Sequence, residues 1–230
     1  MKTIGLLGGM SWQSTELYHR LINREINERL GGLHSAQLAL VSVDFHDIEA
    51  LQRAGDWDGT ADILCAKAQQ VEKAGADFLL VCTNTMHIVA PQIQAAISIP
   101  LLHLADATAE AVKNAGIKRV GLLGTRFTME EDFYRGRLEA QGLDVMIPSA
   151  SDRDTIHRVI YDELCQGIVS DDSRTEYLKI VTDLCFGGAE GVIAGCTEIG
   201  LLIEQSHVDV PLFDTTVIHA QHAVDKALEG

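Results

Sequence analysis

The sequence predicts an α/β fold of two similar halves, each a parallel sheet flanked by helices, related by a pseudo-two-fold axis with the active site in the cleft between them. Three observations predict it. Short apolar runs alternate with helical patterns along the whole chain, which is the order that parallel βαβ units require. The stretch Gly75-Ala76-Asp77-Phe78-Leu79-Leu80-Val81-Cys82-Thr83-Asn84-Thr85 aligns without gaps on Gly188-Ala189-Glu190-Gly191-Val192-Ile193-Ala194-Gly195-Cys196-Thr197-Glu198. The opening Thr3-Ile4-Gly5-Leu6-Leu7-Gly8-Gly9 recurs as Arg119-Val120-Gly121-Leu122-Leu123-Gly124-Thr125. The halves are placed at about residues 1–115 and 116–213, with a last helix at about 214–230 packing on the first half.

Each element has its own signal. Thr3–Leu7 reads as a buried strand, and the helix after it carries Leu17, Leu21, Ile22, Ile26 and Leu30 on one face until Gly31-Gly32 stops it. Leu38–Val43 is a second strand. Two helical pieces flank the Gly55-Asp56-Trp57 turn, the second from about Thr60 to Ala74. Phe78–Cys82 is the third strand. Pro91 stands in the first turn of a short helix that ends near Ile97. Pro100–Leu104 is a fourth strand and Ala105–Ala115 a helix. The second half then repeats the order, from the strand at Arg119 to the strand that ends at Cys196. Val210-Pro211-Leu212-Phe213-Asp214 echoes Ile99-Pro100-Leu101-Leu102-His103, and a helix from about Thr216 to Leu228 follows.

With 230 residues the chain can bury a full core. A net charge of −15, with no Lys/Arg stripe, argues against a nucleic-acid surface. An anionic ligand has to be held by local donors against that field. The five cysteines show no metal spacing and no CxxC, so no metal is expected, and reduced thiols in a cytoplasmic protein are the simplest reading. The N-terminal apolar run is too short for an export signal, and the uncharged run Ile88–Ala105 contains Pro91 and Pro100, so no membrane span is expected.

Val192-Ile193-Ala194 ends abruptly in Gly195-Cys196-Thr197-Glu198. A buried parallel strand delivers a thiol to the carboxyl edge of a sheet in this way, where ligands of α/β folds bind. In the internal alignment Cys196 falls on Thr83, not on Cys82. Side chains alternate along a strand, so Cys82 points away from a cleft that Thr83 enters, unless the strand breaks between them. Two groups on opposite faces of a small molecule suit removal of a proton from a stereocentre and its return on the far side. A thiol, starting from a pKa of about 8.5, is a competent base for that step when its pKa is tuned.

Taken together, Ile4-Gly5-Leu6-Leu7-Gly8-Gly9-Met10-Ser11-Trp12, Asn84-Thr85-x-His87, Gly121-Leu122-Leu123-Gly124-Thr125, Gly195-Cys196-Thr197-Glu198 and Phe213-Asp214-Thr215 resemble the cofactor-independent aspartate/glutamate racemases over the whole chain. The resemblance implies two facing α/β domains, a dimer in many members, and no pyridoxal phosphate, metal or nucleotide. It also implies a pair of cysteines as proton-transferring groups. Here the first of them is replaced by Thr83, as in members specific for L-aspartate and L-glutamate. Thr83 and Cys196 are then the catalytic pair. Met10, Gln52, Asn84, Thr85, Thr125 and Thr197 are the expected substrate contacts, and His87 and Glu198 the supporting residues. Gln52 lies in the segment where family members place a contact, often arginine, to the side-chain carboxylate, and Gln166 stands where some carry lysine.

Other readings accompany these. Asn84, Thr85, Thr125 and Thr197 could also cap turns. The turn Gly8-Gly9-Met10 is not GxGxxG, which excludes a dinucleotide site. Cys65, Cys165 and Cys185 lie within helical patterns and are read as core or incidental. A one-cysteine decarboxylase or maleate-type isomerase would need Cys196 alone. A binding protein for acidic metabolites would need no turnover at all.

Overall fold

The computed structural model describes residues 1–229 of the chain. The chain divides into two compact units, residues 1–104 with 219–230, and residues 105–218. The first change of unit therefore falls at the start of the helix that the sequence places at the end of the first half.

In the first unit β1 (Ile4–Gly8) is followed by α1 (Trp12–Leu30), β2 (Leu38–Ser42), α2 (Phe45–Ala54), α3 (Trp57–Lys73), β3 (Phe78–Val81) and α4 (Ala90–Ala96). The strand order is β2-β1-β3, all parallel, with Leu7 opposite Val81 in the β1–β3 pair. Ser11, Asp44 and Asp56 cap α1, α2 and α3 with side-chain oxygens that accept backbone N–H groups. Gly31 ends α1, and Pro91 sits in the first turn of α4.

Both faces of this sheet are covered, as a parallel sheet requires. Leu7, Leu79 and Val81 join Ile48, Leu64, Ala68, Val71 and Ile93 in one apolar layer. Ile4, Leu6, Phe78, Leu80 and Cys82 join Tyr18, Ile22, Ile26, Ala223 and Val224 in the other. The alternation along β3 therefore continues one residue beyond it, to Cys82.

The expected fourth strand, Pro100–Leu104, is reduced to a single bridge between Leu79 and Leu101. Leu79 N–H donates to the Pro100 carbonyl and Leu102 N–H to the Leu79 carbonyl, each at 2.9 Å. Two residues later the Leu104 N–H is taken by His87 Nε2, and a helix starts at Leu104, so the ladder has no room to continue.

The second unit takes up α5 (Leu104–Asn114), followed by β4 (Arg119–Gly124), α6 (Arg126–Glu130), α7 (Arg135–Ala140), β5 (Asp144–Met146), α8 (Ala150–Asp162), α9 (Asp171–Phe186), β6 (Gly191–Gly195), α10 (Ile199–Leu202) and β7 (Leu212–Asp214). Its sheet is parallel with the order β5-β4-β6-β7. The buried side chains of Val120, Leu122, Ile156, Ile180, Val192 and Ile193 form its core. The last helix, α11 (Thr215–Leu228), begins in this unit, and from His219 onward belongs to the first, where Ala220, Ala223, Val224 and Ala227 enter the apolar layer with Tyr18.

His219 is fully buried on that helix. Burial pushes its pKa down to about 3. The unfolded chain binds this proton below about pH 6.5 whereas the folded chain refuses it, so stability is complete above that pH and falls as the pH drops toward 3. Linkage puts the loss from this one group at about 2 kcal/mol between about pH 8 and about pH 5. Urea unfolding at both pH values is expected to show a smaller acid loss in His219→Gln than in the wild type. Equal losses would contradict this assignment.

Among the described residues no helix is long and apolar enough to cross a membrane. Nor does any group of three or more His, Cys, Asp or Glu side chains form an arrangement that could hold a metal ion.

Candidate active site

The carboxyl ends of the central strands position the candidate residues. In the first unit the ladder ends with Leu7 opposite Val81, and Gly9 and Thr83 follow two residues beyond the paired ends. In the second unit Gly124 pairs with Gly195, and the next residues are Thr125 and Cys196. The pairs Leu7–Val81 and Leu123–Ala194 occupy equivalent positions of the internal repeat.

Glycines let the chain leave these strands. Gly9 has φ of +94°, and a Cβ there would lie 2.2 Å from the Val43 carbonyl oxygen. Its N–H donates to Thr15 Oγ1 at 2.8 Å. A Cβ on Gly195 would lie 2.7 Å from the Leu123 carbonyl oxygen, so the residue before Cys196 must stay small.

In the second unit Cys196 reaches solvent, and its thiol donates to Glu198 Oε2 at 3.0 Å. Enough protein surrounds the sulfur that burial is the first cause raising its pKa. The negative charge of Glu198 and the hydrogen bond to it raise it further. Cys196 rests as a thiol. Glu198→Gln removes the charge, and the pH profile of Cys196 alkylation by iodoacetamide, read on the Cys196 peptide by mass spectrometry, is expected to move to lower pH. An unchanged or upward-shifted profile would contradict the pairing.

Thr125 Oγ1 accepts the Thr128 N–H at 3.3 Å and caps α6, which realises the capping reading of this residue. Thr197 is half-buried, and its hydroxyl accepts from Thr216 Oγ1 at 3.2 Å. Thr215 Oγ1 donates to the Ala194 carbonyl at 3.0 Å, which ties the start of α11 to the strand that carries Cys196.

In the first unit Thr83 is half-buried, directly after the fully buried Cys82. Burial in the layer formed with Tyr18 and Ile22 pushes the Cys82 thiol far above its ordinary pKa. Asn84 and Thr85 are buried, and a 3-10 turn runs over Thr85–Val89. Asn84 precedes that turn without a side-chain cap bond to it. His87 Nδ1 lies 2.8 Å from the Thr83 carbonyl and 3.2 Å from the Asn84 carbonyl, so it carries the proton and donates to both. Its Nε2 accepts the Leu104 N–H at 3.3 Å, which makes the ring a neutral Nδ1–H imidazole.

Two expected contacts sit deeper than the sequence suggests. Met10 is 4% exposed within the apolar layer that holds Leu7 and Ile48. Gln52 lies beside Ile48 on the buried face of α2.

Sequence reading also missed a neighbour of Cys196. Cys165 lies in a 3-10 turn, Leu164–Gln166, rather than in a helix. Burial, with a contribution from the charge of Glu198, pushes its thiol up to about 12. The charge of Glu198 thus acts on Cys165 as well as on Cys196, which nothing in the local sequence signals. Tyr177, whose hydroxyl donates to the Ile156 carbonyl at 3.0 Å, is pushed well above the ordinary tyrosine range, first by burial.

The chain matches a known family. The model of the Asp/Glu/hydantoin racemase family matches residues 7–223. A Bacillus subtilis protein named as a broad-specificity amino-acid racemase is 23% identical over 180 residues, covering 75% of this chain and 74% of its own. A solved Yersinia pestis structure, described as a candidate Asp/Glu racemase, is 53% identical with a TM-score of 0.95 and covers 100% of both chains. An aspartate racemase homologue from Pyrococcus horikoshii OT3 is 33% identical with a TM-score of 0.88, again over 100% of both chains. The chain belongs to the Asp/Glu/hydantoin racemase family.

Proposed function

We propose that the protein racemises L-aspartate and L-glutamate without a cofactor, Cys196 taking the α-proton and Thr83 serving the opposite face of the substrate. The observation that carries this reading is the Cys196 thiol just after β6, hydrogen-bonded to Glu198, at the position that the internal repeat aligns with Thr83. The register also speaks against Cys82 as the partner, because Cys82 is fully buried among apolar side chains.

The chemistry follows from the pair. Glu198 draws the thiol proton when substrate arrives, and the thiolate then removes the α-proton to give a planar carbanion. The raised pKa makes that thiolate scarce and correspondingly strong as a base. A proton delivered on the other face, from the Thr83 hydroxyl or a water it holds, completes inversion. A hydroxyl is a weak acid and base unless activated, so the return on that side is the slower step. Asn84, Thr85, Thr125 and Thr197 supply neutral hydrogen-bond donors for the two carboxylates, with Gln52 and the Met10 segment behind them. Without a charged clamp, affinity for a dicarboxylate is modest.

The test is direct. The protein is incubated with L-aspartate and with L-glutamate separately, with no added cofactor, and the D-enantiomer is followed by chiral chromatography. Appearance of D-enantiomer with at least one of them is expected. Its absence with both, from folded protein, would overturn the assignment and favour a decarboxylase, an isomerase or a binding protein.

A further inference from the structure

The first unit contains a buried chain of histidine hydrogen bonds that none of the site residues explains. Tyr18 Oη donates to His219 Nδ1 at 2.9 Å, and His219 Nε2 donates to the Leu102 carbonyl at 3.0 Å. Two residues on, Leu104 N–H donates to His87 Nε2 at 3.3 Å. His87 Nδ1 then donates to the carbonyls of Thr83 and Asn84 at 2.8 and 3.2 Å. The rings of His103 and His219 stand edge-on to His87 at centroid distances of 4.6 and 6.0 Å. Each of the three histidines is at least 93% buried.

The partners fix the protons. His219 must carry its proton on Nε2 and His87 on Nδ1, opposite tautomers set by these donors and acceptors. Ala220, Ala223, Val224 and Ala227 already anchor α11 by apolar contact. A buried imidazole and phenol add cost unless every polar atom is paired, so a purely packing role would be met better by leucine and phenylalanine. What the pair adds is direction: it holds the 102–104 segment, which holds His87, which sets the peptide planes of Thr83 and Asn84.

We infer that His219 and Tyr18 are positioning residues for the turn that carries Thr83, acting through Leu102, Leu104 and His87 on the Thr83 and Asn84 carbonyls. The inference rests on the reading that Thr83 serves the face opposite Cys196. It makes a prediction that general destabilisation does not. Loosening the turn impairs proton return on the Thr83 side and leaves removal of the α-proton by Cys196 in place.

The experiment measures α-proton exchange in D2O by NMR and inversion by chiral chromatography, on L-aspartate, for wild type, His219→Leu, His219→Gln and Tyr18→Phe. A misplacement on the order of 1 Å costs up to about 10²-fold, so His219→Leu is expected to slow inversion at least about tenfold while exchange changes less than about twofold. His219→Gln, which can still donate to Leu102, is expected to stay near the wild-type ratio. Tyr18→Phe, the milder change should His219→Leu fail to fold, is expected to raise the ratio of exchange to inversion. Exchange and inversion falling in proportion, or an unchanged ratio in folded His219→Leu and Tyr18→Phe, would overturn the inference.

A second readout separates failure of this inference from failure of the catalytic reading. In protein carrying ¹⁵N-histidine, His87 is expected as a single Nδ1–H tautomer in the wild type and as a mixture in His219→Leu or Tyr18→Phe. If the wild type exchanges no α-proton, the racemase reading fails while this tautomer shift still supports the positioning role. A His87 spectrum identical in all variants overturns it.

Discussion

Replacing Cys196 by alanine is expected to lower both α-proton exchange and inversion by about 10²–10⁴-fold, the range over which a positioned acid–base group acts. Both rates fall because both need the carbanion, which in the proposed mechanism this thiol forms from the L enantiomer. Cys82 cannot substitute, since it is fully buried and its thiol is pushed far above the ordinary range. Cys165 shares the influence of Glu198, yet burial holds its thiol near 12. The variant should fold, because Cys196 lies partly exposed in the turn after β6 and its loss leaves no large cavity. A Cys196→Ala protein with exchange within about threefold of wild type, far short of that range, would sink the mechanism.

Thr83→Cys is expected to have the second largest effect, and in the opposite direction. It raises inversion by about tenfold or more while exchange from the L enantiomer rises less, because a thiol ionises far more readily than a hydroxyl. The substitution nearly conserves volume at a half-buried position, so His87 still holds the Thr83 carbonyl, a backbone group. Equilibrium sets a check on the result. Enantiomers have equal free energy in water, so kcat/KM must rise equally in both directions. A variant whose inversion rate is unchanged would mean that the residue after Cys82 does not face the substrate.

Much of this was legible in the sequence because the repeat is written in glycines and apolar runs. Gly8-Gly9 and Gly124-Thr125 mark the same strand exit, and the pairing of Leu7 with Val81 and of Gly124 with Gly195 agrees with the alignment that puts Thr83 on Cys196. The fourth strand was overestimated for a local reason: Pro100-Leu101-Leu102 has strand composition, but the next available N–H, at Leu104, belongs to His87. The burial of Met10 and Gln52 was not legible, since neither the apolar layer behind Met10 nor the buried face of α2 is apparent from a short motif. The histidine chain was illegible altogether. Its partners are backbone carbonyls and N–H groups of segments distant in sequence, and such partners leave no residue-type signature.

The central claim is that a thiol at the end of β6 removes the α-proton and that a proton from solvent returns on the other face. L-aspartate and L-glutamate are incubated with the enzyme in D2O, and the D-enantiomer is isolated and examined at Cα by NMR. The account predicts loss of the α-proton from the L enantiomer at least as fast as inversion, with deuterium at Cα in the D product. A D product that retains its original proton, or no loss of the α-proton from either amino acid, would contradict it.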